Sequence, residues 1–399
     1  MRRRLVLVSL LLLVLCISRA PAKTDDETGR IRLVLFGEGW SLTPAIMTTD
    51  PKITALAIPA GSSTYAEYMA RFMRIYMPRS YREWVEEVDM FILSDLVPWG
   101  FRGEHFAWMI RSIEEEGTGM LLSEMGWYGI IDWTTNAAEH WLETTVYEAF
   151  PCDMVIGEMN QECSYLLVTA DGPFLELPGI EEVAFADEQG IHLPREGAIT
   201  WAIYRKGREP AILSRPYGRG NTVANSMGLE RFVQLYYEWK YYKDYFINHA
   251  YFSAGVPVPA DLELVHRIRE QLETFMDRRK FVMGTIDFID RFNANTRPVE
   301  EMVDEIIKMK GKAVTLYLEQ RYEEASETIG IIMERFVEID AEAVRLRNQA
   351  LLWVYVIEWL AVSATGLLSG FVVWALMVRR RLFREVGVTR DRGIERDEG

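Results

Sequence analysis

Hydrophobic and polar positions alternate in four different ways along this chain, and each way predicts a different element. Residues 5–18 form an uncharged Leu/Val-rich run behind Met1-Arg2-Arg3-Arg4. The run is short for a bilayer core but suits the apolar stretch of a secretory signal. Ala20-Pro21-Ala22 then offers small residues for cleavage, so the mature chain is predicted to begin near Lys23, the alternative being an uncleaved N-terminal anchor. Near-continuous apolar runs follow at 31–36, 53–58, 90–93 and 120–122, with helix-like stretches at 65–76 and 104–116 between them. Such runs predict parallel strands buried on both faces. Shorter β-rich runs at 164–169, 199–204, 211–215 and 222–226 predict further strands, with Tyr217-Gly218-Arg219-Gly220 as the turn of a hairpin.

Beyond Pro257-Val258-Pro259 the pattern turns helical and charged. Ile329, Ile332, Met333, Phe336 and Val337 recur at three- and four-residue steps, the spacing of one helix face. A break at 293–298 divides this region, which predicts a small bundle of three helices. Residues 359–378 then carry no charge, and a helix of that length rises about 30 Å, the thickness of a hydrocarbon core. Trp353, Tyr355 and Trp359 stand at its outer end, where amphipathic rings favour the headgroup region, and Arg379, Arg380, Arg381 and Arg384 follow at the other. That asymmetry predicts a cytoplasmic C-terminus at the plasma membrane. The expected organisation is a signal peptide (1–22), an α/β domain (23–256), a helical stalk (257–350), a transmembrane helix (351–378) and a basic tail (379–399). Gly366 and Gly370, four apart, would allow a second copy of the helix to approach and form a homodimer.

Charge sharpens this picture. The chain carries −15 overall, yet four arginines precede residue 23, and seven basic residues face five acidic ones after Val378. The stretch between holds the excess, −21. A region that acidic repels nucleic acid, leaving membrane or envelope proteins as the expected partners. Cys152 and Cys163 remain after signal cleavage, and an even pair in an oxidising compartment predicts one disulfide, two buried thiols being the alternative. No Walker loop, Gly-x-Gly-x-x-Gly, His-Glu-x-x-His or Cys-x-x-Cys pair occurs, so the common nucleotide, zinc and redox chemistries lack their sequence signatures.

The motifs of the α/β region resemble a known family. Val88-Asp89-Met90-Phe91-Ile92-Leu93-Ser94-Asp95 is followed by Glu116-Gly117-Thr118-Gly119-Met120-Leu121-Leu122, Met125-Gly126-Trp127 and, much later, Glu209-Pro210-Ala211-Ile212-Leu213 with Tyr217-Gly218-Arg219-Gly220. Together they resemble the class I glutamine amidotransferase-like fold, in the branch where Gly-Trp follows the fourth strand and a Tyr-Gly-x-Gly hairpin closes the domain. The likeness covers roughly residues 30–256 and implies a flavodoxin-like parallel sheet. It also implies a Gly-x-Cys-x-Gly elbow whose thiol is activated by a His with a nearby acid. Here the elbow reads Leu122-Ser123-Glu124-Met125-Gly126, with Glu124 in place of Cys. None of His105, His140, His192, His249 or His266 has an acid two places on.

The expectation is therefore a non-catalytic binding or scaffolding domain that needs no cofactor. Its ligand crevice would lie at the carboxyl ends of the strands, near Glu38, Trp40, Asp95, Glu124 and Trp127. Two alternatives stay open. Glu124, Ser123 or Asp95, with or without a divalent cation, would serve an extracytoplasmic hydrolase or transferase. A structural subunit of a membrane complex would instead assemble through the stalk and the 351–378 helix. The aromatic run Tyr236-Tyr237-Glu238-Trp239-Lys240-Tyr241-Tyr242 would either pack inward or face a carbohydrate or peptide.

Overall fold

A computed structural model describes residues 23–37, 42–61, 66–94, 96, 98–123, 141–160, 164–185, 189–226, 238–292 and 295–394. The chain divides into two compact units. One comprises the residues up to Glu273 together with Gly311–Ile329; the other comprises Thr274–Lys310 and the residues from Gly330 on. The first unit thus takes in helical residues beyond the expected boundary at 256.

The first unit is built on a nine-stranded mixed sheet in the order β2-β1-β3-β4-β11-β10-β9-β6-β7. β1 (Ile31–Gly37), β2 (Ile53–Pro59), β3 (Met90–Ser94), β4 (Gly119–Ser123) and β11 (Gly220–Asn225) run parallel. β10 (Pro210–Tyr217), β9 (Ile199–Tyr204), β6 (Ser164–Val168) and β7 (Ala184–Phe185) continue the sheet in antiparallel pairs. The parallel half agrees with the apolar runs, and Gly218 turns the β10–β11 hairpin at φ 58°, a conformation that favours glycine. β7 and the separate antiparallel pair of β5 (Cys152–Asn160) and β8 (Gln189–Pro194) had no apolar run to predict them.

Alternation along the parallel strands sends side chains to two cores. Ile31, Leu33 and Leu35 of β1 with Met90 and Ile92 of β3 face one side, against α1 (Leu42–Met47) and α5 (Tyr242–Ser253). Val34 and Phe36 with Phe91 and Leu93 face the other, against α2 (Ala66–Tyr76), α3 (Tyr81–Glu87) and α4 (Gly103–Arg111). Each such side chain, removed from water, contributes roughly 1.5–3 kcal/mol. The stretch predicted as one helix over 104–116 is α4 followed by a π turn, Ser112–Glu116, which Gly117 stops in the left-handed region. α5 is buried almost all round, so it lacks an amphipathic face despite lying in a charged chain.

Three helices follow: α6 (Leu262–Asp290), α7 (Arg297–Leu318) and α8 (Tyr322–Ile394). The break over 293–298 falls between α6 and α7, as expected. Within the second unit, Phe275, Val282 and Ile286 of α6 pack with Val299, Val303 and Ile306 of α7 and with Ile332, Phe336 and Ile339 of α8. α8 contains one stretch apolar and long enough to cross a membrane, with none of it buried. Leu352, Trp359, Leu367 and Phe371 are among its exposed apolar residues.

Candidate functional site

Order and crossover side define where the sheet can hold a ligand. The connection from β1 to β2 passes through α1 on one face, whereas the connection from β2 to β3 passes through α2 and α3 on the other. The strand order therefore reverses between β1 and β3, and crevices at such switch points are the usual ligand sites of open α/β sheets. Gly37 at the end of β1 lies so close to β3 that a Cβ there would stand 2.5 Å from the Ser94 carbonyl oxygen. Ser94 itself is fully buried, and its hydroxyl has no hydrogen-bond partner among the described residues. On the adjacent parallel strand its register partner Ser123 ends β4 and is also fully buried. At the neighbouring strand end Asn225 donates to the Tyr245 hydroxyl at 2.9 Å, and Ser226 pairs with Tyr204 at 2.6 Å. Of the residues expected to line the crevice, Glu38, Trp40, Asp95, Glu124 and Trp127 lie outside the described residues.

A second polar centre was not expected at all. Arg269 of α6 is almost fully buried between two carboxylates: Nε donates to Asp50 Oδ2 at 2.7 Å and Nη1 to Asp244 Oδ1 at 2.5 Å. Asp50 sits in the turn before β2, and it also accepts from the hydroxyls of Tyr317 (2.7 Å) and Tyr251 (3.0 Å) and from the Lys52 amide (2.7 Å). Asp244, in the first turn of α5, also pairs with His266 Nδ1 at 2.6 Å. A carboxylate acceptor there requires the proton on Nδ1. Burial pushes the Asp244 carboxyl up, but the His266 hydrogen bond and the Arg269 charge outweigh it and hold the carboxyl below its usual range. The cluster borders a cleft of about 190 Å³ lined by Lys240, Lys243, His266, Glu270 and Glu273 among others. Chemically it is a set of oppositely charged groups paired with one another, the arrangement that makes a buried charge tolerable.

Other titratable groups are inert by burial. Cys152 is a free thiol with no exposed surface, and burial pushes it up to about 12, where the thiolate is not formed at neutral pH. The expected Cys152–Cys163 bridge is thus not what holds Cys152. Cys163 lies outside the described residues. His249 is buried against Phe174, and burial pulls it down to about 4, so it stays neutral. In the aromatic run, Trp239 and Tyr242 are buried and Trp239 donates to the Pro178 carbonyl at 3.0 Å, so these two pack inward. Among the described residues, no group of three or more His, Cys, Asp or Glu could hold a metal ion.

No protein-family model matches the sequence, and no curated protein matches it. Among solved structures it is similar to the cytoplasmic protein STM3548 from Salmonella typhimurium, with TM-score 0.45 and 15% identity over 56% of this chain and 99% of that one. The cytoplasmic protein STM1381 from Salmonella typhimurium LT2 gives TM-score 0.45 and 13% identity over 55% of this chain and 98% of that one. The exo-β-1,4-mannosidase Op5Man5 from Opitutaceae bacterium strain TAV5 gives TM-score 0.32 and 10% identity over 56% of this chain but only 36% of its own length. Likenesses this weak carry no functional argument.

Proposed function

We propose that this protein is a membrane-anchored binding or scaffolding module. Its α/β domain is of the flavodoxin-like, class I glutamine amidotransferase-like kind; it lies outside the membrane and engages a ligand or partner at the strand ends without turning it over. The strand order β2-β1-β3-β4-β11 supports the flavodoxin-like reading, since it follows the 2-1-3-4-5 order of such sheets. The observation that carries the non-catalytic reading is the end of β4. This central strand stops at Ser123, where the family's nucleophile follows, and the next residue in the chain is Glu124. The Ser94 hydroxyl at the switch point, without a partner among the described residues, supports binding there, because a buried polar group without a partner is costly unless something satisfies it. The unburied apolar stretch of α8, followed by Arg379, Arg380 and Arg381, supports anchoring with the C-terminus in the cytoplasm.

The test is ammonia release from glutamine by the full-length protein purified from membranes. The expected result is no turnover above buffer. Turnover that Glu124→Gln abolishes would replace this reading with an extracytoplasmic hydrolase.

A further inference from the structure

The first unit is strongly acidic in composition, yet one groove on its surface is basic and aromatic. It has a volume of about 520 Å³, within the range of small-molecule sites, and runs between α2 and α4. Arg74, Arg79 and Arg102 line it, with Glu104 the one acidic residue on its wall among the described residues. Arg74 donates only to the Ala70 carbonyl of its own helix at 3.3 Å, and no hydrogen bond or ion pair engages the Arg79 guanidinium among the described residues. Arg102 pairs with Glu104 at 3.2 Å, but both side chains are exposed, so solvent weakens that attraction. Neither the Arg74 nor the Arg79 guanidinium thus pairs with a carboxylate among the described residues.

The apolar wall is equally specific. Trp99 shows 42% of its surface, which is high for an indole at a folded surface. Trp108 lies on α4 beside His105, with ring centroids 5.4 Å apart. His105 Nδ1 accepts from the Arg102 backbone N–H at 3.2 Å, which leaves Nε2 as the N–H of the neutral ring. The groove therefore offers guanidinium and imidazole donors, while Glu104 is its one acidic acceptor among the described residues. A peptide, whose backbone N–H groups need acceptors, fits that balance poorly. A flat ligand carrying an anionic acceptor fits it well.

We propose that this groove is a binding site for a small organic anion with an aromatic ring, an aryl carboxylate. The ring lies against Trp99 and Trp108, and the carboxylate is held by Arg74 and Arg79 through charge-assisted hydrogen bonds. None of these residues is among those expected to line the strand-end crevice. The experiment is calorimetric titration of the full chain, held in nanodiscs of zwitterionic lipid, with 2-naphthoate and with its neutral amide. Expected are saturable 1:1 binding of 2-naphthoate and affinity about tenfold lower for the amide, the scale of a lost charge-assisted hydrogen bond. Arg74→Gln/Arg79→Gln should weaken 2-naphthoate about tenfold and leave the amide unchanged, and Trp99→Ala should weaken both. The exposed Arg82→Gln, on α3, is the charge control and should change neither. Equal affinity for the acid and the amide, no saturable binding, or an unaffected double variant would overturn the proposal. Tighter binding of an acidic Trp-containing peptide than of 2-naphthoate would overturn it in favour of a peptide site.

Discussion

Replacing Arg269 with Met tests the buried polar centre. Methionine keeps an unbranched side chain in the space of the arginine stem but removes every donor. Asp50 would keep the Tyr251 and Tyr317 hydroxyls and the Lys52 amide, and Asp244 would keep His266. Both carboxylates would lose their cation while remaining almost wholly out of water. Breaking a buried pair by removing one partner costs about 3–5 kcal/mol, and two carboxylates depend on this arginine, so the upper part of that range is expected. For a unit of this size that corresponds to a fall of roughly 10 °C in the melting temperature. The assay is thermal unfolding of the full chain followed by near-ultraviolet circular dichroism, which reads the packing of Tyr251 and Tyr317. A second variant, Arg269→Met with Asp50→Asn and Asp244→Asn, removes the charges together and should recover most of the loss, because only the uncompensated carboxylates are expensive. A single variant within about 1 kcal/mol of the parent, or a triple variant less stable than the single one, would refute the reasoning.

Four further outcomes follow from groups inside the first unit. His249 is pulled down to about 4 when folded, against about 6.5 unfolded, so the unfolded chain binds the extra proton between those values. Its contribution to stability is therefore present above pH 6.5 and lost as pH falls toward 4, about 2 kcal/mol by pH 5; His249→Phe should flatten that part of a stability–pH profile. Asp244, held below its usual range, gives up its contribution only under stronger acid, as pH falls through its folded value. Cys152 should resist a thiol reagent in the native protein and react once denaturant is added, as measured by mass spectrometry. Gly119→Ala would place a Cβ 2.3 Å from the Ser253 carbonyl oxygen at the end of α5, and chemical denaturation should show a loss of about 2 kcal/mol or more.

What the sequence disclosed tracks how local each signal is. β1, β3 and β4 were legible because strands buried on both faces need unbroken apolar runs, and Met90–Ser94 is buried at every position. The β10–β11 hairpin was legible from Gly218 and its neighbours. α1 was not, since six residues containing Pro44 show no helical period. β5 and β8 were not, because they pair with each other outside the main sheet and alternate weakly. The Arg269 centre was beyond sequence reading for a different reason. Tyr317 and Asp50 are 267 residues apart, and nothing local marks a turn aspartate as the partner of a helical arginine. The spacing of Asp244 and Tyr251 on one face of α5 was the only trace. The groove arginines were similarly hidden, since Arg74, Arg79 and Arg102 read as ordinary surface charges until the fold gathers them. The elbow residue Glu124 and the crevice residues Glu38, Trp40, Asp95 and Trp127 rest on sequence alone.

The central claim is that the chain works by holding partners at a membrane. The most direct measurement is mild cross-linking in native membranes, recovery of the full chain by a tag on the residues after Val378, and identification of the co-purifying proteins. The account predicts a reproducible set of membrane or envelope proteins that is lost when the tag is carried by residues 351–399 alone. A chain recovered without partners, under conditions in which a known membrane complex is retained, would contradict it.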